Sequence, residues 1–146
     1  MKKETLDIDA IVGEAVPMRP NPQLAFTAPI RVDSETNKRD HPVAKWRRGK
    51  KQKETLFIAW LEAIANGQAR QVSLPCVVRL TRVGQKALDS DDNLREAFKT
   101  LKDAIARELC GGVNRMGVDD GDERITWEYA QVPVGRRVYQ VRVEIY

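Results

Sequence analysis

The stretch KALDSDDNLREAFKTLKDAI, Lys86–Ile105, decides the fold, because it joins the end of a strand to a long helix. At about 3.6 residues per turn, the apolar side chains from Leu94 to Leu109 collect on one side of that helix. The pattern predicts a helix over about Asp92 to Leu109, ended by Gly111 and the glycine after it, with its apolar side against a sheet.

The other periodic segments predict a small sheet and one more helix. Strands are expected at 24–32 and 76–84 and in the two alternating runs 124–134 and 136–146, and a helix at 50–68. This order predicts one α+β (α/β-like) domain: a mixed sheet of about four strands packed against two helices. The last two strands are expected to form a C-terminal antiparallel hairpin that turns at Val134-Gly135. Residues 1–22 are expected to form an irregular arm and residues 23–146 the domain.

Composition limits the class of protein. The chain has 146 residues, of which 42% are apolar and 32% charged, as in a globular domain. It contains no apolar run of the roughly 18 residues that a membrane span needs, so no membrane partner is expected. The first residues carry acids where a signal peptide would be apolar. The two cysteines, Cys76 and Cys110, do not have the spacing of a metal site. A cytoplasmic protein with two reduced thiols is therefore predicted.

A basic segment precedes the first long helix. In Asn37–Lys53, eight Lys and Arg side chains accompany one acid, Asp40, while the net charge of the whole chain is only +4. Such a block is typical either of a solvated surface or of a protein that grips a phosphate backbone. Trp46 lies among these bases, and we expect it to anchor the segment to the core rather than to stack on a base. The residues expected to bind DNA are Arg39, Lys45, Arg47, Arg48, Lys50 and Lys51.

A cluster of acids stands at the start of the helix after the second strand. One Asp there is explained by helix capping, but Asp89, Asp91 and Asp92 repel one another unless a cation neutralises them. A second acidic group, which includes Asp119 and Asp120, follows the same helix. If the two groups meet, they form an oxygen-rich site suited to Mg²⁺ or Mn²⁺. A calcium loop is rejected, because neither the glycine nor the final glutamate of an EF-hand is present.

Clustered acids and a basic segment together favour metal-assisted cleavage of a phosphodiester. The metal activates water and stabilises the leaving oxygen, and the bases neutralise the backbone. His41 is the sole histidine and lies in the basic segment, so a nucleophilic triad is not favoured. No Gly-rich phosphate loop precedes either helix, so nucleotide hydrolysis has no support.

From about Ala25 to the C-terminus, the chain resembles the RusA-type Holliday junction resolvases, especially their phage-borne relatives. LDSDDNLREAFKTLKDAI, GVDDGDERITWEYAQ and SETNKRDHPVAKWRRGKKQKE carry the resemblance. It implies a homodimeric, Mg²⁺-dependent endonuclease that binds branched DNA and nicks opposing strands of a four-way junction.

The resemblance also implies which residues act. Asp92 matches the end of the family's Asp-x-Asp-Asn-Leu motif, and Asp120 matches the second Asp of the downstream pair, with Asp119 a possible substitute. The first motif position falls on Ser90, so Asp89 is favoured as the ligand and Asp91 is the fallback.

The family's catalytic lysine is replaced by Glu96. Lys99 lies one turn later on the same helix stripe and can supply the charge. Equally, it can form an i,i+4 pair with Asp103 worth a few tenths of a kcal/mol. Two rival functions remain: a junction or duplex binder that does not cleave, and a charged phage structural protein whose acids are only caps and loops.

Overall fold

A computed structural model describes residues 7–33, 41–89, 91–111 and 120–146, with only the backbone given at Asp91. The helices are α1 (Ile8–Ala15), α2 (Pro42–Ala65), α3 (Asp91–Ala97) and α4 (Lys99–Leu109). The strands are β1 (Leu24–Ala28), β2 (Cys76–Gly84), β3 (Ile125–Pro133) and β4 (Gln140–Ile145). The α+β class and the mixed sheet of four strands are confirmed, and within the described ranges none of the helices is long and apolar enough to cross a membrane.

The sheet has the strand order β1-β4-β2-β3. β2 runs parallel to β3 and antiparallel to β4, and β1 is antiparallel to β4. α3 and α4 connect the parallel pair, as a crossover of this kind requires. One face of the sheet is apolar, with Leu80 and Val143 fully buried beneath Leu101 and Ile105 of α4. This core fixes where α4 lies, and α4 carries the candidate site.

The predicted C-terminal hairpin is wrong. β3 and β4 do not pair, because β2 lies between them and bonds to both. The connection bends around the end of β2, where Val134 and Gly135 donate their amides to the carbonyls of Gly84 and Gln85 at 2.9 and 3.1 Å. Alternation marked both strands correctly, but β2 carries apolar side chains on both faces and takes the central place between them.

The prediction of an irregular arm is also wrong for residues 8–15, which form α1. Asp7 caps this helix, since its carboxylate accepts the amide of Ala10 at 3.1 Å. Val12 is buried against Val83 and Val132, on the face of the sheet opposite α4. α1 therefore covers the second face of the sheet. The division of the chain at residue 22 stays a prediction.

The two predicted long helices differ from the observed ones at their N-terminal parts. α2 begins at Pro42, so most of the basic segment is helical rather than a lead-in. The predicted helix 92–109 is divided at Phe98, whose amide bonds to the carbonyl of Arg95, three residues back. Phe98 is fully buried and stacks on Tyr129 with ring centroids 6.0 Å apart. The break therefore turns this side chain into the core.

Candidate active site

Lys99, at the start of α4, and Asp120, in the segment that follows α4, are brought together. Lys99 is the first residue of α4, and its Nζ donates to Asp120 Oδ1 at 2.8 Å and to Asp103 Oδ1 at 3.2 Å. The backbone amide of Asp120 donates to the same Asp103 oxygen at 3.3 Å. Lys99 therefore forms the expected i,i+4 pair with Asp103 and also pairs with Asp120, while its role as the catalytic charge stays a prediction.

Lys102 completes this cluster on its buried side. Its Nζ lies 3.1 Å from Asp120 Oδ2, and its side chain is only 12% exposed. The same ammonium lies 5.1 and 5.6 Å from the ring centroids of Tyr129 and Trp127, within cation–π range. Trp127 Nε1 also donates to the carbonyl of Asp120 at 3.0 Å. Strand β3 thus supplies an aromatic wall that fixes both the lysine and the backbone of the acid.

The electrostatics of the cluster keep the Asp120 carboxyl ionised. Burial on its own raises the pKa of Asp120, but the hydrogen bonds from Lys99 and Lys102 outweigh it, so the pKa lies below its usual value. The hydrogen bond to Asp120 raises the pKa of Lys99, against the opposing effect of burial. The two lysines therefore stabilise the ionised form of the Asp120 carboxyl group.

The other predicted metal ligands are less closely placed. Asp89 lies exposed in the loop after β2, and Asp92 lies exposed on α3. Within the ranges that the structure describes, no three His, Cys, Asp or Glu side chains are grouped closely enough to hold one ion. Asp119 and the side chain of Asp91 lie outside those ranges. Asp120 offers a carboxylate, a ligand that hard cations prefer, but both of its oxygens pair with lysines, and the assembly of a complete metal site stays a prediction.

The expected DNA-binding residues from Lys45 to Lys51 lie on the first turns of α2; Arg39 lies outside the described residues. Four of the five are exposed, and Arg48 is half-buried. The first buried residue of α2 is Leu56, so the basic part of the helix lies ahead of the part that meets the core.

Trp46 does not anchor to the core as expected. It is 64% exposed, and the ammonium of Lys50 lies 5.3 Å from its ring centroid. The expectation failed because the segment is helical and none of the residues of α2 before Leu56 is buried. The result is an exposed aromatic side chain among cations, a combination suited to stacking on a base.

Sequence reasoning missed Lys102, Trp127 and Tyr129. Two signals could have found them. Lys102 lies three residues after Lys99, so the two are neighbours on the helix surface. Trp127 and Tyr129 alternate along β3 and stand opposite Val78 and Leu80 in the register, which places them on the face that α4 covers.

Comparison with known proteins adds no relative: no protein-family model, curated protein or solved structure matches this chain.

Proposed function

We propose that this protein is a Mg²⁺-dependent endonuclease that resolves four-way (Holliday) DNA junctions by nicking opposing strands. The contact of Lys99 with Asp120 carries the proposal, because it joins two separate parts of the implied site at 2.8 Å. The exposed bases on α2 supply the second requirement, a surface that neutralises phosphates.

Each group has a distinct role in this proposal. Asp89, Asp92 and Asp120 would hold Mg²⁺ or Mn²⁺, which when bound supplies an activated water and charge stabilisation at the leaving oxygen. Lys99, already beside Asp120, places a positive charge next to the phosphate that is cut. Lys102 is enclosed by aromatic rings and positions the Asp120 carboxylate. We expect a homodimer, because a twofold-symmetric protein matches a twofold-symmetric junction. We expect it to act in the cytoplasm.

A second function, junction or duplex binding without cleavage, has an observation in its favour. Two ammonium groups approach both oxygens of Asp120, where a metal ion would otherwise bind. Glu96, exposed on α3, stands where the resemblance implies a lysine. Both features suit a protein that keeps its DNA-binding surface but whose Asp120 carboxylate is neutralised by its own lysines instead of by a metal ion.

The test is cleavage of a labelled four-way junction and of a linear duplex with the same sequence, each with Mg²⁺ and with EDTA. The variants are Asp92→Asn and Asp120→Asn, and Glu62→Gln, an exposed acid on α2, is the control. The proposal expects paired nicks near the crossover that need Mg²⁺, are lost in both Asp variants and persist in the control.

Other outcomes decide between the two functions. Tight binding of the junction without nicks in Mg²⁺ or Mn²⁺ would establish the binding function and sink the enzyme. Nicks that persist in both Asp variants would remove these residues from the site. Weak association that disappears with added salt and does not prefer the junction would contradict both functions.

A further inference from the structure

A basic cavity shares no described lining residue with the Asp120 cluster. It has a volume of about 450 Å³ and lies between α2 and the segment that follows β1. Pro29 and Ile30 form part of one wall, and Arg48, Lys51 and Gln52 of α2 form the facing wall. The side chain of Gln52 donates to the carbonyl of Arg31 at 3.0 Å and holds the two walls together.

The charge of the lining favours an anion. Arg31, Arg48 and Lys51 contribute three positive charges, and Asp33 contributes one negative charge. The Asp33 carboxylate is already engaged, 2.8 Å from Arg31 Nε and 3.5 Å from Nη2 of the buried Arg82. The described residues of the lining therefore carry a net positive charge.

Arg31 is held in place although it is exposed. Its side chain is 61% exposed, yet Asp33 fixes its Nε and its guanidinium lies 4.3 Å from the centroid of the Tyr139 ring. A long side chain on a protein surface normally loses rotamer freedom when it binds a ligand, and here much of that loss has already occurred in folding. Guanidinium groups held in this way bind phosphate oxygens well and also offer a flat surface on which a base can stack.

The size and the mixed lining define the ligand more closely. A volume of about 450 Å³ lies within the range of about 300–1,000 Å³ typical of small-molecule sites and exceeds what a bare phosphate fills. The wall at Pro29 and Ile30 is apolar and the facing wall is cationic. We propose that this cavity binds a nucleoside monophosphate unit, with the phosphate on Arg31, Arg48 and Lys51 and the base against Pro29 and Ile30. The unit comes either from a free nucleotide or from an unpaired DNA strand.

This inference goes beyond the proposed nuclease activity, because it holds whether or not the protein cuts DNA. The test is calorimetric titration in EDTA with dTMP, thymidine, inorganic phosphate and a short 5′-phosphorylated oligothymidylate. Arg31→Ala and Lys51→Ala are compared with Arg107→Ala, which removes the same charge from an exposed position on α4. Circular dichroism of each variant checks that the fold is kept.

We expect one dTMP to bind per chain, more tightly than thymidine or phosphate. Arg31→Ala should weaken dTMP binding by about tenfold or more, since a charge-assisted hydrogen bond is lost. Arg107→Ala should change it by less than about twofold. Tighter binding of the oligothymidylate than of dTMP identifies a DNA strand as the source, and equal or weaker binding identifies the free nucleotide. Equal binding of phosphate and dTMP, or equal losses in Arg31→Ala and Arg107→Ala, overturns the proposal. All readouts are made without metal or cleavage, so failure here and failure of the nuclease are distinguishable.

Discussion

Glu144 and Asp120 are each held by two cations, and their surroundings separate a structural site from a candidate functional one. Glu144 on β4 is completely buried, between Arg79 and Arg142, whose side chains are 11% and 10% exposed. Asp120 is half-buried between Lys99 and Lys102, and Lys99 is 58% exposed. The Glu144 carboxylate is closed to solvent, whereas one of the two cations on Asp120 is exposed to it.

The Glu144 cluster ties the N-terminal segment to the sheet. Arg79 Nη2 lies 2.5 Å from Glu144 and 2.8 Å from the carbonyl of Pro17, and Arg142 Nη2 donates to the carbonyl of Val16. Arg142 Nε lies 2.6 Å from the other Glu144 oxygen and forms an ion pair with it. Tyr146 donates to Glu144 as well. Rigid arginine forks suit such a fixed, dry site better than lysines do.

Glu144→Gln should therefore cause the largest change. It leaves two nearly buried guanidinium groups without their counter-charge, and breaking a buried pair in this way costs about 3–5 kcal/mol of unfolding free energy. Urea denaturation measures the loss from the shift in midpoint. Glu128→Gln is the control, because Glu128 pairs with Arg19 on the same face at 35% and 47% exposure, where about 0–1 kcal/mol is expected. Equal losses in the two variants would mean that water reaches Glu144.

Asp120→Asn should cost less, about 1–2 kcal/mol. It removes two charge-assisted hydrogen bonds, but Lys99 is exposed and regains water when the carboxylate is lost. Under the proposed function the same variant has no Mg²⁺-dependent cleavage. The two measurements are made on one preparation, by denaturation and by junction cleavage. A loss of stability as large as that of Glu144→Gln would show that Asp120 is a structural residue like Glu144.

The contrast between the two clusters also shows what could be read from the sequence. Periodicity located the four strands and the buried face of α4, because side-chain alternation and helical spacing depend on local geometry. It did not give the strand order, since alternation shows which face of a strand is buried but not which strand lies beside it. On β4, Arg142 and Glu144 alternate with valines and isoleucine, a pattern that by itself is typical of a strand with one solvent-exposed face. They are buried because the chain around Val16 returns over them.

The candidate site was predictable only in part. The acids and Lys99 stood out as a charge cluster on one side of a helix. Lys102 did not, because its role depends on a contact with Asp120 across the crossover and on two rings from β3. Contacts between segments distant in sequence are set by packing, so one chain read alone does not reveal them.

The stability that Asp120 contributes should depend on pH, which sharpens the comparison with Glu144. The pKa of Asp120 in the folded protein is below the ordinary value of 3.8, so the unfolded chain binds the proton more tightly. The stabilisation from Asp120 is therefore fully present well above pH 3.8 and is lost as the pH falls through the folded-state pKa. The stability difference between the protein and Asp120→Asn should narrow over that acid range, as measured by urea denaturation at a series of pH values. A difference that stays constant below pH 3.8 would contradict a carboxylate held by Lys99 and Lys102.

The smallest expected effect is the direct coupling between Lys99 and Asp120, about 0.5–1 kcal/mol at low salt. A double-mutant cycle with Lys99→Met and Asp120→Asn measures it, because the cycle cancels what each side chain does elsewhere. Added salt should reduce this coupling, since Lys99 is exposed and the Debye length falls to about 3 Å at 1 M. The matched cycle with Arg79→Met and Glu144→Gln should give a larger coupling that salt hardly changes, because solvent ions do not reach a fully buried carboxylate. A coupling at Lys99–Asp120 that resists salt would mean that this lysine is enclosed in solution and unable to give way to a metal ion. The binding function would then be favoured over the nuclease.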